Sequence, residues 1–191
     1  MPQFTETQLI IAAVVLVFLV IVAVVAFEHR RKTRTLALRN RFGSEYDREV
    51  TEHGSWRKAE VKLADRKTRV DALKIRELGT TERERFVAEW HTVQSRFVDH
   101  PQAAVNEADD LIAALLEARG YPKDNFEQRA ADISVSYPGV MENYRVAHAI
   151  AAKPGTGESS TEELRTAMIK YRTIFDELVQ TQTLPERKSA A

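Results

Sequence analysis

The chain has 191 residues, of which 43% are hydrophobic and 29% are charged, and it contains no cysteine. These values are typical of a globular protein, and they exclude a disulfide scaffold. The formal net charge is zero, but residues 28–78 carry 15 Lys and Arg against 9 Asp and Glu, whereas residues 79–191 carry 13 against 18. The acidic C-terminal half would repel phosphate, so we expect no nucleic acid partner.

An uninterrupted apolar run, LIIAAVVLVFLVIVAVVAF, occupies residues 9–27. As a helix it would be about 28 Å long, close to the thickness of the hydrocarbon core of a membrane. Residues 1–8 lack the basic n-region of a signal peptide, and Ala23 and Ala26 miss the A-x-A spacing of a cleavage site. The run therefore predicts one uncleaved transmembrane helix at 9–27, preceded by an extracytoplasmic N-terminus at 1–8.

Basic residues follow the apolar run directly, in the predicted juxtamembrane segment 28–43. They begin with Arg30, Arg31, Lys32 and Arg34. Basic residues next to a span stay in the cytoplasm, so the C-terminal domain should be cytoplasmic. Such a cluster also attracts anionic lipid headgroups, which these four side chains could contact. The sequence leaves two alternatives open, a signal for topology alone or a segment that also binds lipid.

Residues 44–78 are predicted to form a charged connecting helix after a stop at Gly43 and a new start at Ser44. Trp56, Leu63 and Val70 recur every seven residues, as in a coiled coil, although the intervening core positions include Arg66. A bend is expected at the His-Gly-Ser sequence of residues 53–55.

Residues 79–180 are predicted to form a bundle of about five helices, and the fold class is all-α. Capping boxes are expected at Thr81 with Glu84 and at Ser160 with Glu163. Asp109 and Asp110 are expected to be solvated, on the side of their helix opposite to the apolar stripe. The tail 181–191 is polar and aperiodic and is predicted to be disordered. The apolar stripes that define the bundle contain Phe86, Trp90, Val93, Ala104, Ala108, Leu111, Leu115, Phe126, Ala130, Ile133, Tyr144, Ala147, Leu164, Met168, Tyr171 and Phe175.

No catalytic or metal-binding motif stands out. The chain has no P-loop, no dinucleotide-binding glycine motif, no G-x-S-x-G and no H-E-x-x-H pair. We therefore expect no enzymatic activity, no cofactor and no metal. The alternative is a small-ligand receptor or an enzyme built on polar residues that the helical stripes do not require. These residues are Glu127, Arg129, Asp132, Arg145 and His148, and Arg129 and Asp132 could also simply pair on the surface.

Several stretches, among them RGYPKDNFEQRAADISVSYPGVMENYRVAH at 119–148 and RFGSEYDR at 41–48, resemble an uncharacterised family of bacterial proteins. Many members of that family have one N-terminal hydrophobic segment, so the resemblance implies a bacterial membrane protein and supplies no catalytic residues. We therefore expect a single-pass protein of the bacterial cytoplasmic membrane. Its helical domain would bind a protein partner or organise the cell envelope.

Overall fold

The computed structural model describes residues 6–153 and 159–180, with side chains described from Val15 onward. Within these ranges the chain forms eight α-helices and one 3₁₀ turn, without a strand. The all-α prediction and the helical bundle are therefore confirmed. The chain divides into two compact units, with the boundary between Arg41 and Phe42. The predicted disordered tail 181–191 and most of the N-terminal segment 1–8 lie outside the described residues.

Helix α1 spans Glu6–Phe42 and carries the apolar run into the basic segment without a break, as the sequence predicts. Over the described ranges, no helix combines the length and the apolar character that a membrane crossing requires. Residues 9–14 of the predicted transmembrane helix lie outside the described side chains. The transmembrane helix at 9–27 is thus not confirmed and stays a prediction.

The predicted connecting helix 44–78 is instead a pair of helices, α2 (Ser44–His53) and α3 (Trp56–Asp71), followed by a non-helical segment at 72–79. Gly54 adopts a left-handed conformation with φ 60° and ends α2, which is the physical reason for the break. The two helices pack on each other, and the Tyr46 hydroxyl donates to Glu60 at 3.1 Å.

Helices α4 (Thr80–Arg96) and α5 (Pro101–Ala118) open the bundle. The capping box predicted at Thr81 and Glu84 is wrong by two residues. Gly79 occupies the N-cap, and its N–H donates to Glu82 at 3.0 Å. Arg76 donates to the same carboxylate at 2.6 and 2.7 Å, and together these bonds lower the pKa of Glu82 to about 2. The carboxylate of the capping box is thus Glu82, which Arg76 also contacts.

The bundle is completed by α6 (Phe126–Ser136), a 3₁₀ turn (Pro138–Val140), α7 (Met141–Ala151) and α8 (Thr161–Gln180). The Asn125 side chain caps α6, accepting from the Gln128 N–H at 3.0 Å. The second predicted capping box is confirmed, because Ser160 and Glu163 exchange hydrogen bonds at 2.8 and 3.2 Å. Helix α8 packs against α5 and α7, and the predicted apolar stripes of these helices form one core.

Candidate functional site

The described part of the second unit contains a cavity of about 600 Å³, which we call the charged cleft. Helices α2 and α3, the N-terminal half of α6 and Arg145 of α7 supply its walls. Charged side chains of both signs dominate the lining, including Arg48, Glu49, Lys62, Arg69, Glu127 and Arg145. A lining of this kind suits a polar or charged ligand, whose own groups could pair with the charged side chains.

Glu49 is the most deeply buried acid of the charged cleft, with 2% of its surface exposed. Its carboxylate forms an ion pair with Arg66 and lies 3.2 Å from Nε2 of His53 and 3.9 Å from Nζ of Lys62. The same His53 nitrogen is 3.1 Å from the Lys62 ammonium. Arg66 and Lys62 therefore bring positive charge to one buried carboxylate, which meets the need of a buried charge for compensation.

Arg69 connects α3 to α6, the helix that forms one wall of the charged cleft. Its Nε lies 3.2 Å from both carboxylate oxygens of Asp132, and its Nη2 donates to Asp124 at 2.6 Å. Asp132 is 1% exposed and also accepts from the Gln128 amide at 2.9 Å. The expected surface pair between Arg129 and Asp132 is therefore wrong, because Asp132 faces α3 and its partners come from there and from its own helix.

Arg145 of α7 connects the bundle to α2. Its Nη2 donates to Glu45 at 2.6 Å, and its Nε lies 3.4 Å from the other carboxylate oxygen. Glu45 is buried, so this two-point ion pair is largely shielded from water. The position of Arg145 at the rim of the charged cleft is thereby set by a residue 100 positions earlier in the chain.

A second group of polar side chains, the Asp109 cluster, is built from Asp109, Arg129, Tyr144, His148 and Tyr171. The Tyr171 hydroxyl donates to Asp109 at 3.0 Å. Nδ1 of His148 and Nη2 of Arg129 lie 3.3 and 3.9 Å from the other Asp109 oxygen. The prediction that Asp109 is solvated is wrong, because Asp109 lies at the edge of α5, where helices α6, α7 and α8 meet it.

The Asp109 cluster shifts the pKa values of its members in opposite directions. Burial alone would raise the pKa of Asp109, but His148, Tyr171 and Arg129 outweigh burial and lower it. Burial, reinforced by the Asp109 charge, raises the pKa values of Tyr144 and Tyr171. Asp109 is therefore the ionised acceptor of the cluster, and both phenols stay protonated at neutral pH.

His148 lies between Asp109 and an aromatic ring. The imidazole stacks on Phe126 with the ring centroids 3.6 Å apart and the planes 3° from parallel. It also lines a shallow cavity of about 450 Å³. This cavity shares four lining residues with the charged cleft, namely Arg48, Asn125, Glu127 and Arg145. Asp109 and Phe126 together orient the imidazole, which could accept or donate a proton. The described residues of this cavity include no Ser, Thr or Cys that could act as a nucleophile.

The five predicted polar residues therefore do not form one site. Arg129 and His148 meet at Asp109, whereas Asp132 binds Arg69 and Arg145 binds Glu45. Glu127 is exposed and lines both cavities. Sequence reasoning missed the acidic partners Asp109, Glu45 and Glu49 and the basic partners Arg66 and Arg69. A usable signal existed for Glu45 and Glu49, which lie one turn apart beside the buried Tyr46.

The predicted lipid-binding residues lie on α1, in the first unit. Arg30, Lys32 and Arg34 are exposed, and Arg31 is 3.5 Å from Glu28. Their side chains are thus accessible, and lipid binding by them stays a prediction. Across the described part of the chain, no group of three or more His, Asp or Glu side chains is arranged to hold a metal ion.

Comparisons with known proteins yield no match to a family model, a curated protein or a solved structure. The resemblance to an uncharacterised bacterial family therefore stays a prediction.

Proposed function

We propose that this chain is a single-pass protein of the bacterial cytoplasmic membrane whose helical domain binds a partner protein in the cytoplasm. The observation that carries the proposal is the environment of residues 15–27. Their larger side chains are exposed around the whole circumference of α1, from 48% at Val22 to 67% at Phe27. A helix that is apolar on every side requires an apolar environment, and the sequence extends the run back to Leu9, to a length that fits a lipid bilayer.

The orientation follows from charge. Arg30, Arg31, Lys32 and Arg34 come after the apolar run, whereas Glu6 is the only charged side chain before it. This asymmetry favours a cytoplasmic C-terminal domain and an external N-terminus.

The binding function rests on the charged cleft. In the described part of the second unit, the exposed large apolar side chains are Val61, Val98 and Ile169, which lie on different parts of the fold. No contiguous apolar patch is formed by such isolated residues, so a hydrophobic docking surface is not favoured. The charged cleft instead offers ionic groups of both signs at its rim, which suits a charged segment of a protein partner.

The absence of native cysteine makes the tether testable with single thiols. We compare Thr5→Cys with Val98→Cys in intact cells, using a membrane-impermeant maleimide. The expected result is labelling at position 5 and protection at position 98 until the cells are opened. Extraction with alkaline carbonate should leave the chain in the membrane fraction. Labelling at position 98 in intact cells would reverse the orientation, and release by carbonate would refute the span.

The binding proposal is tested by photo-crosslinking in cells. A photoreactive amino acid at Glu127, in the charged cleft, should give a discrete adduct with another protein, whereas the same group at the exposed Ile169 should not. Arg48→Glu should weaken the Glu127 adduct, because Arg48 lines the same cavity. Equal adducts from both positions, or none from Glu127, would contradict this use of the charged cleft.

The orientation of His148 favours a second candidate, a small-ligand receptor or an enzyme at the shallow cavity. A ligand held there would touch the imidazole, which could donate a hydrogen bond to it or accept one. A screen by thermal shift should then find compounds that stabilise the wild type and not His148→Gln. The absence of such compounds would leave binding through the charged cleft as the proposed function.

A further inference from the structure

The outward side of α3 differs from the other exposed helical surfaces of the second unit. Arg57, Lys58 and Lys62 surround Val61, whose side chain is 58% exposed, and these four residues define what we call the α3 outer face. They line a shallow depression of about 370 Å³ that ends at Asp65. The face therefore combines three cations and one exposed apolar side chain with a single carboxylate at its end.

Only two cations of the α3 outer face lack an acidic partner among the described residues, because Nζ of Lys62 lies 3.9 Å from the buried Glu49 carboxylate. Among the described residues, Arg57 and Lys58 form no ion pair, although the Arg57 guanidinium lies 5.1 Å from the centre of the Trp56 ring. Around Ile169 on α8, in contrast, Arg165 lies beside Glu162 and Arg172 lies beside Asp176. The two arginines near Ile169 thus have carboxylate partners, whereas Arg57 and Lys58 near Val61 have none within the described ranges.

We infer that the α3 outer face docks on the anionic surface of the membrane, in a contact separate from the four basic residues of α1. The inference rests on the proposed tether, which keeps the domain near lipid. Lys and Arg can extend their ammonium and guanidinium groups to headgroup phosphates while their methylene stems cover apolar surface. Val61 then enters the headgroup boundary between them, as apolar residues do on interfacial helices. Nucleic acid fits less well, because three cations beside Asp65 form a small face for a phosphate backbone.

The test uses the full-length chain reconstituted in lipid vesicles, with an environment-sensitive fluorophore on a single introduced thiol. The positions are Val61→Cys and two matched exposed apolar sites, Val98→Cys and Ile169→Cys. With vesicles of phosphatidylcholine and phosphatidylglycerol, the label at 61 should shift to the blue and be quenched by headgroup-labelled lipid. The labels at 98 and 169 should not respond. Phosphatidylcholine alone, or added salt, should abolish the response at 61.

Charge variants give the second measurement. Arg57→Gln and Lys58→Gln should each reduce the ratio of docked to undocked domain about fivefold, the loss expected for one basic residue near an anionic surface. Lys74→Gln and Lys123→Gln remove the same charge from other exposed positions and should leave the ratio unchanged. An equal effect of the two pairs would show that net charge alone matters and would overturn the assignment to α3.

The outcomes separate this inference from the proposed function. A chain that floats with vesicles only after detergent removal, and resists carbonate, is inserted. If the label at 61 then shows no blue shift and no quenching, the α3 contact is refuted and the proposed membrane insertion is retained. If the chain does not associate stably with vesicles, both the proposed membrane span and the α3 contact are refuted. A response of the label at 61 to a single-stranded oligonucleotide, without a response to anionic lipid, would replace the membrane by nucleic acid as the partner.

Discussion

The Asp109→Ala substitution removes a carboxylate that side chains from three other helices contact. Tyr171 would lose the acceptor of its hydroxyl, Arg129 would lose its counter-charge, and His148 would lose the carboxylate 3.3 Å from its Nδ1. A hydrogen bond to a charged group contributes about 1.5–3 kcal/mol, and leaving a largely buried cation without its partner adds to the loss. We therefore expect the free energy of unfolding to fall by about 3 kcal/mol.

Unfolding is followed in urea by tryptophan fluorescence, because Trp90 is buried and stacks on Phe175 at 4.8 Å in the bundle core. With a slope of about 2 kcal/mol per molar urea, the midpoint should fall by about 1.5 M. The matched control is Asp110→Ala, which removes the neighbouring carboxylate from an exposed position. Its midpoint should stay close to that of the wild type. Equal losses for the two variants would refute the argument that Asp109 joins the helices.

The environment of Asp109 also predicts how the free energy of unfolding changes with pH. Burial opposes the shift, but His148, Tyr171 and Arg129 hold the pKa of Asp109 below its ordinary value. The unfolded chain therefore takes up this proton first as pH falls, so the stabilisation is complete above about pH 4 and is lost below it. The stability difference between the wild type and Asp109→Asn should narrow as the pH falls below about 4. A difference that does not change with pH would contradict the lowered pKa.

Two further substitutions test the backbone and the ion pairs. Gly120→Ala should lower the free energy of unfolding by more than about 2 kcal/mol, because φ is 95° there and a Cβ would lie 2.5 Å from the Lys74 carbonyl oxygen. The control is Gly139→Ala, where a Cβ meets open space, and this variant should change the urea midpoint little. Arg145→Met should lower the free energy of unfolding by about 3–5 kcal/mol, because it leaves Glu45 buried without a partner. The double variant Arg145→Met with Glu45→Met should lose less stability in the same urea titration. A double variant less stable than Arg145→Met would contradict the pairing.

Much of the bundle could be predicted because its helices bury residues at helical spacing. The stripe of Phe86, Trp90 and Val93 is buried as expected, and Ser160 and Glu163 cap α8 through short-range bonds that local sequence can specify. The pair of α2 and α3 shows what local sequence could not predict. The bend near Gly54 was predicted, but a local pattern does not say whether two helices continue or fold back. That outcome depends on contacts made across the bend.

The candidate site was harder to predict because its partners are distant in the chain. Arg69 and Asp132 are 63 residues apart, and Asp109 and Tyr171 are 62 apart. Periodicity within the segment that contains Arg129 and Asp132 suggested a local pair, yet each residue found its partner on another helix. Spacing identifies residues that share a face, whereas an ion pair between elements is decided by how those elements pack.

The position of a polar residue relative to the apolar stripe does carry information. Asp110 lies opposite the stripe of α5 and is exposed, whereas Asp109 lies at its edge. Arg129 and His148 also flank the apolar stripes of their own helices. Edge residues of neighbouring helices meet where those helices pack, so their polar groups must either reach water or find one another. A polar residue at a stripe edge is therefore a candidate for a buried network, even when its partner cannot be named from the sequence.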